Sequence, residues 1–309
     1  MFLNQKGIKK ILIAVFLLGF ITALYGIKQA FWGFSGFEKK WLYYTISINK
    51  FSALSVHSVI RPFSFFPSPH EYGMFLMLSF IIGFSLILYK KYRCQVFLIL
   101  TVIFYAAVLL SSRGIFFFVF LGFLFMLNLV SKRKRFTFGM TLMVLILYVI
   151  VASSVDYRFT LSAIPVGIQR LYTHVISGIL DPFAKTSTLW MRIYLIKNLP
   201  NTIAKYPLGV GIGATSLAGW KFGGLTALGE ISLVSLIKGG SVLSGLLYIV
   251  LVILAIKNGI IKYNKSSKWI SVVITGIIFT YFLGGSLTLY STTPVYWLLI
   301  GYILRKDEL

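Results

Sequence analysis

The chain has 309 residues, 58% of them hydrophobic and only 12% charged. A soluble globular domain is about a quarter charged, so composition excludes that class and points to a membrane protein. Lys and Arg number 30 against 7 Asp and Glu, but in a membrane chain much of such an excess is topology signal, and nucleic acid is not expected as a partner.

Apolar runs of membrane-spanning length recur along the chain. In lipid every backbone group must be satisfied within its own segment, so these runs are expected to be helices. The alternating pattern of a membrane β-barrel is absent. The expectation is an all-α polytopic protein, a single transmembrane domain over 1–309. It would have about eight transmembrane helices and one large external loop at 155–229.

Lys6, Lys9 and Lys10 precede the first apolar run, 11–27, and place the N-terminus in the cytoplasm. That run is long enough to span, so it is not read as a cleaved signal. Residues 28–71 are mixed and aromatic, which suits an external interfacial segment. Its end, Arg61 to Glu71, carries Pro62, Pro67 and Pro69, which forbid a continuous helix.

Further spans are expected at 73–89, 94–110, 114–130, 136–154, 231–256, 269–285 and 291–304. The basic clusters at 90–93 and 132–135 share the inner face, which forces Ser111-Ser112-Arg113-Gly114 to the outer one. Both termini then lie inside. The closing Lys306-Asp307-Glu308-Leu309 spells an ER-retention address; on the cytoplasmic side nothing reads it, and it is taken as chance.

The cytoplasmic segments hold only about half of the 30 basic residues. The external surplus of positive charge suits an anionic substrate. Cys94 is the lone cysteine, so no internal disulfide and no cysteine metal site is expected.

Arginine in or beside a span is a functional candidate by default, against the plainer alternative of snorkelling to headgroups. Arg113 qualifies at its hairpin. Arg192 qualifies because, on a helix over 189–205, it falls within the arc of Leu189, Ile193, Ile196, Leu199 and Ile203. Pro200 weakens that projection by kinking or dividing the helix. Arg61 is the third candidate. A guanidinium stays charged and donates a planar fork, so three of them suit a pyrophosphate.

Acids are sparse, and no Asp or Glu pair offers a hard-cation site, so neither metal nor other cofactor is expected. Glu230, where the loop enters the next span, is a candidate base, with an interfacial acid as the plainer alternative. His174 is a second candidate base, with a surface histidine as its alternative. Pro207 to Gly213 is glycine-rich and reads as a tight re-entrant turn whose N–H groups face an anion. Lys238, Gly239 and Gly240 interrupt the following span.

Four segments together resemble the bacterial O-antigen ligase and O-antigen polymerase superfamily. They are Ala23 to Gln29 with Phe34 to Trp41; Arg61 through Phe66 to Leu76; Ser112-Arg113-Gly114; and Arg192 through Pro207 to Gly213, followed by Glu230 and Gly239-Gly240. The resemblance implies an all-helical, GT-C-like membrane glycosyltransferase with a large periplasmic loop. Its donor would be an undecaprenyl-pyrophosphate-linked oligosaccharide, used without metal. Arg113 and Arg192, with Arg61, would hold the pyrophosphate. Membrane lipids and other polysaccharide-assembly proteins are the implied partners, and the bacterial inner membrane the implied location.

Two features depart from the family. The ligases carry a loop histidine shortly before the following span, and Ala214 to Glu230 has none, which favours a polymerase over a ligase. Members also have more spans before the first motif, which implies an N-terminally incomplete copy. The rival functions are a flippase of the same lipid-linked glycan and a non-catalytic subunit of an exopolysaccharide assembly complex.

Overall fold

The computed structural model describes residues 5–49, 55–56, 59–88, 93–110, 113–130, 194–211, 232–266, 269–284 and 292–305. These residues are helical apart from one pair of two-residue strands and short connections. The helices are α1 (Gln5–Trp32), α2 (Gly36–Asn49), α3 (Pro69–Leu88), α4 (Arg93–Leu109), α5 (Arg113–Val130), α6 (Leu199–Lys205), α7 (Ser232–Ser266), α8 (Trp269–Gly284) and α9 (Thr293–Leu304). The strands β1 (Ser55–Val56) and β2 (Val59–Ile60) pair antiparallel, Ser55 opposite Ile60.

Each expected span that falls within these residues is helical. The expected span 136–154 lies outside them. Among the described residues, three helical stretches are long and apolar enough to cross a membrane, Gln5–Trp32, Pro69–Ile87 and Leu233–Tyr263; Cys94–Leu109, Trp269–Leu283 and Thr293–Leu304 are shorter apolar helices.

The described residues divide into two compact units, one within 5–116, the other within 117–130 and 194–305. In the first, α1, α3 and α4 pack on one another. Lipid tails are as apolar as leucine, so such bundles are held by close packing and hydrogen bonds rather than by escape from water. Small residues provide the close approach. Gly19 of α1 lies against Ser79 of α3, and Gly26 lies against the phenol of Tyr72, leaving no room for a methyl at either glycine. The Ser79 hydroxyl donates to the main-chain carbonyl of Phe75 at 2.9 Å and meets that of Val15 at 3.2 Å. The Tyr72 hydroxyl donates to Thr22 O at 3.1 Å. Leu12, Ile82 and Ile103 fill the interior.

In the second unit α7, α8 and α9 form the same kind of three-helix packing. Gly259 of α7 is tight against Thr275, and Gly122 of α5 against Thr280, while Phe125 stacks on Phe279 at 4.3 Å. Buried phenols are paired: Tyr248 with Tyr296 at 2.9 Å, and Tyr281 with Thr292 at 2.8 Å. The apolar residues Leu243, Leu247, Val250 and Ile253 of α7 are exposed, as a lipid-facing stripe requires.

α7 is not one continuous helix. Ser241 stands at φ 88°, ψ 170°, dividing it. That backbone conformation is open essentially to glycine alone and costs another residue about 1–3 kcal/mol. The interruption expected at Lys238-Gly239-Gly240 is therefore real, and its sharpest point is one residue beyond the glycines.

Candidate functional site

The described part of the candidate site is the segment 61–72 and the end of α1 that holds it. α1 has 28 residues, about 42 Å at 1.5 Å per residue. The hydrocarbon core is about 30 Å thick, so the last turns of α1 reach beyond an apolar centre at 11–27. Gln29 is in those turns, yet it is only 2% exposed.

Its carboxamide is fully used. Oε1 accepts from the backbone N–H groups of Phe63 at 3.0 Å and Ser64 at 2.7 Å. Nε2 donates to Ser64 O at 3.2 Å and to Glu38 Oε1. Ser64 sits in the left-handed region, φ 53°, and its hydroxyl donates to Thr22 O at 2.9 Å. The strained residue is thus tied to α1 through both main chain and side chain.

Glu38 completes the hub. Ser35 caps α2: its hydroxyl accepts from Glu38 N at 3.3 Å while Glu38 Oε2 accepts from Ser35 N. This reciprocal pairing is a capping box, S-x-x-E. The Tyr25 hydroxyl also donates to Glu38 Oε1 at 3.0 Å, and Lys28 Nζ lies 3.9 Å from Oε2. Burial pushes the Glu38 carboxyl up, but the hydrogen bonds from Ser35, Gln29 and Tyr25 outweigh it and hold the group below its ordinary value.

Aromatic rings seat the segment. Phe63 stacks on Phe34 at 5.3 Å and tilts against Trp41 at 5.2 Å. Phe65 stacks on Tyr25 at 4.2 Å, and Phe66 lies against Phe75 at 5.1 Å. The segment then turns into α3 through a second serine cap, with Glu71 N donating to the Ser68 hydroxyl at 3.1 Å. Pro69 opens that helix, where a missing N–H costs nothing. Among the described residues Glu38 and Glu71 are the only acids, and each stands at the third position of a capped helix.

Arg61 precedes Pro62, which biases its backbone to the extended region. Its side chain is half-buried. Arg61, His70 and Glu71 bury Nε, Nε2 and Oε1 respectively, and each of the three residues engages neighbours.

The other candidates fare differently. Arg113 is the first residue of α5, at the expected hairpin, and its side chain lies outside the described residues. Arg192, His174 and Glu230 lie outside them altogether. The helix expected over 189–205 is seen from residue 194 on: residues 194–197 are helical, Asn198 keeps a right-handed helical backbone (φ −86°, ψ −1°), and α6 follows, with Asn198 N donating to Tyr194 O at 3.0 Å and Thr202 N to Asn198 O at 3.1 Å. Pro200 lacks an N–H to bond back to residue 196 and its ring crowds that turn.

The glycine-rich turn needs one correction. Its N–H groups were expected to face an anion, but Gly209 N donates to Tyr206 O at 3.0 Å and Val210 N to Lys238 O at 2.8 Å. These two donors are spent inside the protein, the second on a carbonyl at the α7 break.

Gln29 and Ser64 escape a sequence reading because they meet across about 35 positions of sequence. The caps do not: Ser35-Gly-Phe-Glu38 and Ser68-Pro-His-Glu71 both carry S-x-x-E. No protein-family model, curated protein or solved structure matches the chain.

Proposed function

We propose that the chain is a membrane glycosyltransferase of the O-antigen polymerase or ligase type, polymerase-like. It would act in a bacterial inner membrane with both termini cytoplasmic, extending a glycan carried on undecaprenyl pyrophosphate at the periplasmic face. The sequence resemblance, the helical membrane architecture and the basic balance support this. The observation that carries it is the immobilised segment around Arg61, an arginine-bearing loop fixed to the end of a membrane-length helix.

In this scheme the acceptor oxygen bonds to the anomeric carbon of the donor. The carbon–oxygen bond to the diphosphate breaks, and the diphosphate leaves with the electron pair. The acceptor proton passes to Glu230, or to His174 in its place. Arg113 and Arg192, with Arg61, stabilise the charge that develops on the leaving diphosphate.

Proteoliposomes holding the purified chain and a synthetic polyprenyl-diphosphate-linked repeat unit test it. Longer glycans support the proposal. Transfer of the donor across the bilayer without elongation would make the chain a flippase, and neither outcome would make it a non-catalytic subunit. Arg113→Ala, Arg192→Ala and the double variant then test shared work on one diphosphate: the double should lose less than the sum of the singles.

A further inference from the structure

We propose that Gln29 is the positioning residue for Arg61; this rests on the proposed function in that Arg61 would meet the donor diphosphate. A primary carboxamide has two donors and two acceptor lone pairs. At Gln29 all four are used, and three of the bonds go to the main chain of Phe63 and Ser64. The side chain therefore does for residues 63–64 what a neighbouring strand would do. On the other side of Arg61, β2 is fixed by its pairing with β1 up to Ile60. Arg61 and Pro62 are the only residues between these two anchors, and Pro62 restricts both. The Arg61 backbone is thus set before any ligand arrives.

That arrangement matters for a cation acting on a leaving group. A preorganised donor needs no rearrangement as charge develops, and its displacement by about 1 Å can cost on the order of a hundredfold in rate. Glu38 holds the far side of the Gln29 carboxamide and so fixes which edge faces Ser64.

The distinguishing experiment is a cycle of Gln29→Ala, Arg61→Ala and the double variant, assayed for kcat and KM in the elongation assay. The expected result is a fall in kcat of on the order of tenfold to a hundredfold for Gln29→Ala, with KM little changed. Little further loss is expected when Arg61 is already alanine. An equal loss in both backgrounds would mean that Gln29 serves folding alone, and overturns the proposal. Gln29→Glu/Glu38→Gln restores the bond between the two side chains with its polarity reversed and should recover part of the loss seen in Gln29→Glu.

A second measurement does not need turnover. Spin labels at the exposed Lys40 and Pro67, with Cys94 replaced by serine, should give one narrow distance that broadens in Gln29→Ala. An unchanged distribution overturns the clamp even if activity falls. Full activity in Arg61→Ala, with the wild type active, overturns the role of Arg61 while leaving the glycosyltransferase assignment standing. An inactive wild type overturns that assignment and this proposal with it.

Discussion

The backbone N–H of Val210 donates to the main-chain carbonyl of Lys238 at 2.8 Å, joining the turn after α6 to the break in α7. The break leaves carbonyls without their usual helical donors. Val210 N takes the one at Lys238, and the Ser244 hydroxyl reaches across the break, 2.7 Å from Leu236 O and 2.8 Å from Ser241 O. Turn and break are therefore one structure.

Gly209 makes that contact possible. Its φ is +80°, and an added Cβ would lie 2.7 Å from Ser241 N and 2.8 Å from Gly239 O. Both are backbone atoms, which cannot swing aside. Gly209→Ala is expected to lower thermal stability, with about 1–2 kcal/mol from the left-handed backbone alone and more from the clash. Unfolding of the detergent-purified protein, followed by tryptophan fluorescence, measures it; an unaltered Tm would mean that the turn does not dock.

Ser241 tests the same junction from the other side. Its strain of about 1–3 kcal/mol disappears with glycine, which adds back only about 0.5–1 kcal/mol of chain entropy. Ser241→Gly should raise Tm and Ser241→Val should lower it. The reverse order would show that α7 runs unbroken through this position.

The helices were legible because a membrane span is written locally, in composition. Apolar runs at 73–89 and 269–285 became Pro69–Leu88 and Trp269–Gly284. Lys238-Gly239-Gly240 announced the break in the same local way. What holds the candidate site together is not local. Nothing near Gln29 in sequence reveals that its amide will meet Ser64, and the fixing of Arg61 depends on that meeting. The amphipathic pattern over 189–205 was legible in the same local way, and helical hydrogen bonds run through its described part from Tyr194 to Tyr206.

The close approach of α1 and α3 gives a packing prediction. A methyl at Gly26 would overlap the buried phenol of Tyr72, whose hydroxyl is already committed to Thr22 O. Gly26→Ala should destabilise by about 1–3 kcal/mol, the usual cost of overpacking. Gly301, with nothing within 4 Å of its missing Cβ, is the matched control; Gly301→Ala should gain helix propensity and lose nothing. Equal Tm changes in the two variants would contradict the tight α1–α3 contact.

Topology gives a further expectation. By the positive-inside rule the basic clusters at 90–93 and 132–135 would put the 155–229 loop outside and the end of α7 inside. Cysteines at Ser187 and Ser266, with Cys94 replaced, should differ in labelling by an impermeant thiol reagent on intact spheroplasts. Ser187 should label and Ser266 should not; equal labelling would refute the arrangement.

Glu38 makes the hub sensitive to acid. Its carboxyl is held below the ordinary value of 4.5 because hydrogen bonds from Ser35, Gln29 and Tyr25 outweigh the upward push of burial. The unfolded chain therefore binds a proton at Glu38 at a higher pH than the folded chain does. Where only the unfolded chain is protonated, stability rises with pH. The contribution is whole above about pH 4.5 and disappears as pH falls through the lower folded-state value. Wild type should thus be more stable than Glu38→Gln at neutral pH, and the gap should narrow in acid below about pH 4.5. Tm measured for both proteins across that range checks it. A gap that stays constant would mean that the ionised form of Glu38 adds nothing to the cap or to the hold on Gln29.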